Sequence, residues 1–276
     1  MRIGISNLAW DRPEDEAVAA LLNRYQVDAI EAVPTKYFPQ PQQATTAEIE
    51  QVRAWWAAQG IEITSMQTLL YGTTGLNLFG PQDVQEAMLS YLKGICRIAQ
   101  GLGATRLVFG SPKNRDRTGL SESQAEATAI DFFRKLGDIG ASHNVLFCLE
   151  PNPPAYSCNF MIDNPSTARI VELVGHPAIR MQLDTGALTM NQESPAQIIP
   201  QYASLIGHIH ASEPNLTPVG SGQTDHATIA PLVTQWLPDH LVSIEMLATK
   251  EVPHLTSIEQ AIQTVRSHYH NPHTLL

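Results

Sequence analysis

The chain has no CxxC pair, and its three cysteines, Cys96, Cys148 and Cys158, stand apart in 276 residues. That excludes a cysteine-built zinc module or dithiol centre and fits buried free thiols in a reducing compartment. No run of Lys or Arg occurs either. Seventeen basic residues face 27 acidic ones, for a net charge of −10 spread along the chain. Such a surface repels polyanions, so neither nucleic acid nor an anionic membrane is expected as a partner. No apolar stretch reaches the ~20 residues of a membrane span. The start, MRIGISNLAW, turns polar too soon for a secretory signal, and a cytoplasmic protein is expected. A GxGxxG turn after the first strand pattern is also missing, which argues against a doubly wound dinucleotide-binding sheet. Gly220 and Gly222 are not followed by the Lys and Ser/Thr of a phosphate-binding loop, and are read as shaping a tight loop.

What is present is a regular alternation. Short apolar runs at 2–7, 28–33, 62–68, 106–111, 145–150, 179–184, 205–210 and 241–246 read as strands. Helical patterns with recognisable ends lie between them. Thr45 with Glu48 and Ser121 with Gln124 are spaced as capping boxes, and Gly60 sits at a C′ position. Pro81 opens a long amphipathic pattern. Asn164 and Pro165 read as N-cap and first turn of a helix ended by Gly175. Asp225 caps another, and Thr256 with Glu259 begins the last. Hydrophobic residues make up 43% of the chain, ample for one core, and no Pro/Gly/Ser linker divides it. These features predict an α/β fold, a single (β/α)8 TIM barrel over residues 1–276 with the tail 270–276 peripheral.

Four metal-ligand side chains end consecutive strand patterns. Glu150 closes VLFCLE, Asp184 closes IRMQLD, His210 closes LIGHIH and Glu245 closes LVSIE, spaced 34, 26 and 35 residues apart. Each interval is about one strand-helix unit, and equivalent positions on parallel strands converge in space. In a barrel these ends form the face that carries active sites. Singly, each has an ordinary explanation: a solvated strand end, a turn-forming Asp, a core histidine. Jointly, three carboxylates among apolar neighbours are costly to bury unless a dication offsets them. Carboxylate oxygens with one imidazole suit Mn, Co, Mg or Zn. One divalent ion is therefore expected, and no organic cofactor.

The segments EPNPPAYSCNFMI, QLDTGAL, HIHASE, VGSGQTDHATI and SIEML resemble the xylose isomerase-like TIM barrels, and in particular the tagatose/psicose 3-epimerase type. The resemblance is specific between about residue 145 and residue 246. It implies that Glu150, Asp184, His210 and Glu245 bind the metal. It also implies that Glu150 and Glu245 are the catalytic pair, one removing a proton next to a carbonyl and the other returning one to the opposite face. A dication that stabilises the resulting enediolate and two flanking carboxylates suit that chemistry. Three substrate-holding groups of the epimerases are replaced, by Ala187, Leu216 and Tyr156. The resemblance thus implies a sugar isomerase or epimerase whose small-molecule substrate is a related polyol, keto acid or sugar-acid derivative. Self-association into a homo-oligomer is implied by the same resemblance.

Around this set, Gln67, Asn152, Tyr156 and His208 are candidate substrate contacts, with His208 on the same strand face as His210. Glu213 is the candidate partner orienting His210. Trp10 reads as a substrate wall or a core aromatic, and Trp55–Trp56 as one surface and one core ring. Two other activities share the resemblance: a dehydratase of an inositol or shikimate type, and a phosphodiesterase of the endonuclease IV type. The latter needs more strand-end histidines and a basic groove, which this sequence lacks. A metal-retaining protein that binds a ligand without turnover is the remaining alternative.

Overall fold

The computed structural model describes residues 1–269, and the peripheral tail expected at 270–276 lies outside the described residues. Eight strands, β1 (Ile3–Ser6), β2 (Ala29–Ala32), β3 (Glu62–Met66), β4 (Arg106–Phe109), β5 (Leu146–Leu149), β6 (Ile179–Asp184), β7 (Ile206–Ser212) and β8 (Val242–Glu245), follow one another round a closed barrel. Every neighbouring pair is parallel, and β8 pairs back onto β1. The strands read as unbroken apolar runs because both faces are covered, one by the barrel interior and one by helices.

Among the described residues, ten helices surround or cap the barrel: α1 (Asp15–Arg24), α2 (Pro34–Tyr37), α3 (Thr46–Ala58), α4 (Gln82–Leu102), α5 (Glu122–Ser142), α6 (Asn164–Val174), α7 (Thr185–Met190), α8 (Pro195–Tyr202), α9 (His226–Trp236) and α10 (His254–Tyr269). The capping boxes form as spaced in the sequence. Glu48 N donates to Thr45 Oγ1 while Thr45 N donates to Glu48 Oε2, and Ser121 with Gln124 repeats the exchange. Thr228 N donates to Asp225 Oδ1 at the start of α9. Gly60 and Gly175 take the left-handed conformation, with φ of 75° and 60°, that lets the chain leave a helix.

Two helix starts differ from the sequence reading. The N-cap of α6 is Asp163, which accepts from Ser166 N, so Asn164 lies one residue inside. An Asp with a Ser three residues on competes with Asn-Pro for the cap, and the Asp side chain reaches the free amide. Likewise α10 begins at His254, two residues before Thr256, because Pro253 carbonyl accepts the first amides.

The core fills the barrel and its contact with the helices. Trp10 and Trp56 are fully buried and meet edge to face at 6.4 Å, and Trp10 Nε1 donates to Asp15. Trp10 is therefore a core aromatic, and Trp55 is the surface member of its pair at 37% exposure. All three cysteines are buried and free. Among the described residues no helix is long and apolar enough to cross a membrane.

Candidate metal centre

Strand register brings the four candidate ligands to one end of the barrel. Asp184 on β6 lies beside His210 on β7, and Ser212 on β7 lies beside Glu245 on β8. β7 runs to Ser212, two residues past its expected end, so His210 lies within the strand. Glu150 follows β5 directly and stays in the ladder through its amide, which donates to Phe109 carbonyl at 3.1 Å. One ligand atom from each of the four lies within 4.8 Å of the others. His210 Nδ1 is 3.1 Å from Glu245 Oε2, 3.4 Å from Glu150 Oε1 and 3.8 Å from Asp184 Oδ2.

Three acids packed this closely repel one another. Burial, then the charges of Glu245 and Glu150, push the Asp184 carboxyl up to about 8. Burial disfavours the His210 imidazolium, yet Glu245 and Glu31 outweigh it and hold its pKa well above the ordinary value. A positive charge is thus called for at the centre of the cluster. His210 Nδ1 is buried and makes no well-aligned hydrogen bond, although three carboxylates surround it. An unused nitrogen aimed among three carboxylates is a donor set that fits a divalent ion.

Each candidate ligand is held by neighbours. Asn152 Nδ2 donates to Glu150 Oε2 at 3.0 Å, and the buried Arg115 donates through Nη1 to Glu150 carbonyl at 2.7 Å. A Cβ on Gly110 would stand 2.0 Å from Glu150 Oε2, so the carboxylate occupies space that only glycine leaves open. Asp184 accepts from Ala187 N at 2.5 Å through Oδ1 and from Ser212 Oγ at 2.8 Å through Oδ2. His210 Nε2 lies 2.8 Å from Oε2 of Glu31, a fully buried carboxylate on β2.

Glu31 is the residue that sequence reasoning missed, although an acid inside the apolar run DAIEAV was a signal. It takes the place expected of Glu213. The Glu213 side chain turns into its own loop, accepting from Gly220 N and Thr224 N, with His226 Nε2 3.5 Å away. Burial opposes the Glu213 charge, but His226 and those amides lower its pKa to about 2. Glu213 therefore shapes the loop after β7 and does not touch His210.

The structure separates the four expected substrate contacts. Gln67 and Asn152 line a cavity of about 1330 Å³ that opens beside Glu150 and Glu245. Gln67 Nε2 also donates to Glu31, and His208 Nε2 lies 3.0 Å from Glu31 Oε1. The Tyr156 hydroxyl accepts from Asn215 N at 2.8 Å, tying the loop after β5 to the loop after β7. Of the three replaced positions, Leu216 lines the cavity, while Ala187 is buried with its amide on Asp184.

Comparison with known proteins agrees with this architecture. The chain superposes on D-psicose 3-epimerase from Clostridium cellulolyticum H10 with a TM-score of 0.81 at 17% identity, covering 98% of this chain and 99% of that one. It matches the 3-keto-D-glucoside 4-epimerase of E. coli with a TM-score of 0.77 at 16% identity, over 97% and 99% of the two chains. A probable 3-DHS dehydratase from Bacillus anthracis gives a TM-score of 0.74 at 15% identity, again over 97% and 99%. No curated protein sequence matches the chain. At these identities the superpositions show a shared fold. The family model described as xylose isomerase-like TIM barrel matches residues 19–268. With eight parallel strands closed into a barrel and that match over most of its length, the chain belongs to the xylose isomerase-like TIM barrel family.

Proposed function

We propose that this protein is a divalent-metal-dependent isomerase or epimerase of a small hydroxy-ketone, a sugar or sugar derivative, working by proton transfer through an enediolate. The observation that carries the reading is the cluster of Glu150, Asp184, Glu245 and the unpartnered His210 Nδ1 at the mouth of the barrel, beside a large cavity. Glu150, Asp184, His210 and Glu245 would hold the ion. When bound, it supplies positive charge where the substrate oxygen becomes negative.

The chain's own residues do the rest. One of Glu150 and Glu245 takes the proton from the carbon next to the carbonyl, and the other delivers a proton to that carbon from the opposite face. Asn152 fixes the Glu150 carboxylate, and Gly110 leaves room for it. Gln67 and Asn152 present amides to the cavity, and Tyr156 keeps a hydroxyl proton to donate while accepting from Asn215. Leu216 offers the cavity no polar group, so a substrate binding there places an apolar or missing substituent on that side.

The test is to incubate metal-loaded protein with ketoses, keto-polyols and sugar acids in D2O. Deuterium at a single carbon with retention of the carbon skeleton supports the reading. Deuterium exchange followed by loss of water identifies a dehydratase instead. A protein that binds metal but exchanges nothing across the panel contradicts both.

A further inference from the structure

We infer that Glu31 is the positioning residue that selects Nδ1 of His210 as its ligand atom, an inference that rests on the metal site proposed above. Glu31 is fully buried at the end of β2, where a barrel interior is ordinarily filled by Val, Ile or Leu. Its carboxylate is surrounded by donors from several strands. His208 Nε2 lies 3.0 Å from Oε1, while Oε2 receives His210 Nε2 at 2.8 Å, Gln67 Nε2 at 3.2 Å and Ser243 Oγ at 3.2 Å. Gln67 also donates to Ser6 Oγ at 2.9 Å, which links β1 to the network.

An ionised carboxylate accepts only, so an imidazole nitrogen 2.8 Å from it carries the proton. With the proton on Nε2, the neutral ring has its lone pair on Nδ1, which faces Glu150, Asp184 and Glu245. Without Glu31, no acceptor holds the proton on Nε2, and the tautomer with its proton on Nδ1, 3.1 Å from Glu245 Oε2, is no longer disfavoured. That proton would occupy the position a metal ion needs. Glu31 therefore fixes both ring angle and tautomer, as outer carboxylates do for ligating histidines. His208, braced on the other oxygen with its ring at 78° to that of His210, keeps the carboxylate from rotating.

Glu31, His208 and His210 also lie close enough together to suit a second ion. The hydrogen bonds weigh against it, because both imidazoles turn Nε2 toward the carboxylate, and a nitrogen that carries a proton there has no lone pair for an ion.

Zinc titration of the full chain by calorimetry tests the assignment. The parent is expected to bind one zinc ion, and Glu31→Gln, whose amide can present a donor to His210, to bind it about 10–100-fold more weakly. Ser243→Ala removes one donor to Glu31 but leaves both imidazoles, and is expected to keep parental affinity. An independent readout uses the parent itself, labelled with ring ¹⁵N histidine. Zinc-loaded protein should show His210 coordinated through Nδ1 with a slowly exchanging proton on Nε2. Coordination through Nε2, unchanged zinc affinity in Glu31→Gln, an equal loss in Ser243→Ala, or two zinc ions per chain would each overturn the inference. A parent that binds no zinc, manganese or cobalt overturns the metal site as well.

Discussion

Loading the centre with a divalent ion at pH 7 should release protons, and the number follows from the cluster's charges. With burial and the charges of Glu245 and Glu150 pushing its carboxyl up to about 8, Asp184 is mostly protonated at pH 7 in the metal-free protein. His210, held well above 6.5 by Glu245 and Glu31, carries a second proton. Both must leave before a carboxylate oxygen and Nδ1 can act as ligands. Binding at pH 7 should therefore release between one and two protons per ion. Apparent affinity should rise by about tenfold to a hundredfold for each pH unit across neutrality, and less steeply once pH exceeds about 8, where Asp184 ionises by itself. Calorimetry in several buffers of different ionisation enthalpy counts the protons directly. A count of zero, with affinity independent of pH from 6 to 8, would refute the reasoning, because no proton on Asp184 or His210 would then be displaced by the ion.

Two further outcomes follow from the same geometry. A raised carboxyl pKa contributes stability that is full below its unfolded value near 3.8 and lost as pH rises through about 8. The raised His210 value acts in the same sense, full below about 6.5 and lost above its elevated folded value. Glu31, lowered well below 4.5 because the two histidines outweigh its burial, adds no slope above that pH. Metal-free protein compared with Asp184→Asn by thermal unfolding in chelator should thus lose ground to the variant from pH 5 to pH 9. A constant difference would contradict the repulsion argument. Gly110→Ala forces Glu150 Oε2 to retreat from a Cβ only 2.0 Å away. It should weaken metal binding about 10–100-fold while leaving the circular dichroism spectrum intact, and parental affinity would show that the carboxylate has another place to go.

Strand order was legible in the sequence because each strand is a short apolar run and each following helix announces its ends with local hydrogen bonds. Thr45, Ser121 and Asp225 cap helices through residues three positions away, so the signal is contained in a few letters. The convergence of Glu150, Asp184, His210 and Glu245 was legible for a different reason: equivalent positions on successive parallel strands come together in a barrel. Glu31 was not, since its partners Gln67 and His208 lie 36 and 177 residues away and no local pattern joins them. Glu213 misled because it is close to His210 in sequence. The strand continues through Ser212, and the loop that follows carries Glu213 to the amides of Gly220 and Thr224. Tyr156 likewise spends a lone pair on Asn215, 59 residues on, a contact set by how two loops meet.

The central claim, proton transfer by two glutamates at a metal-bound hydroxy-ketone, is tested most directly by deuterium exchange at saturating metal. On whichever substrate the parent labels in D2O, Glu150→Gln and Glu245→Gln, each brought to full metal occupancy, should exchange at least about 100-fold more slowly, the lower range for loss of a positioned acid or base. Exchange by both variants at the parental rate would contradict the account.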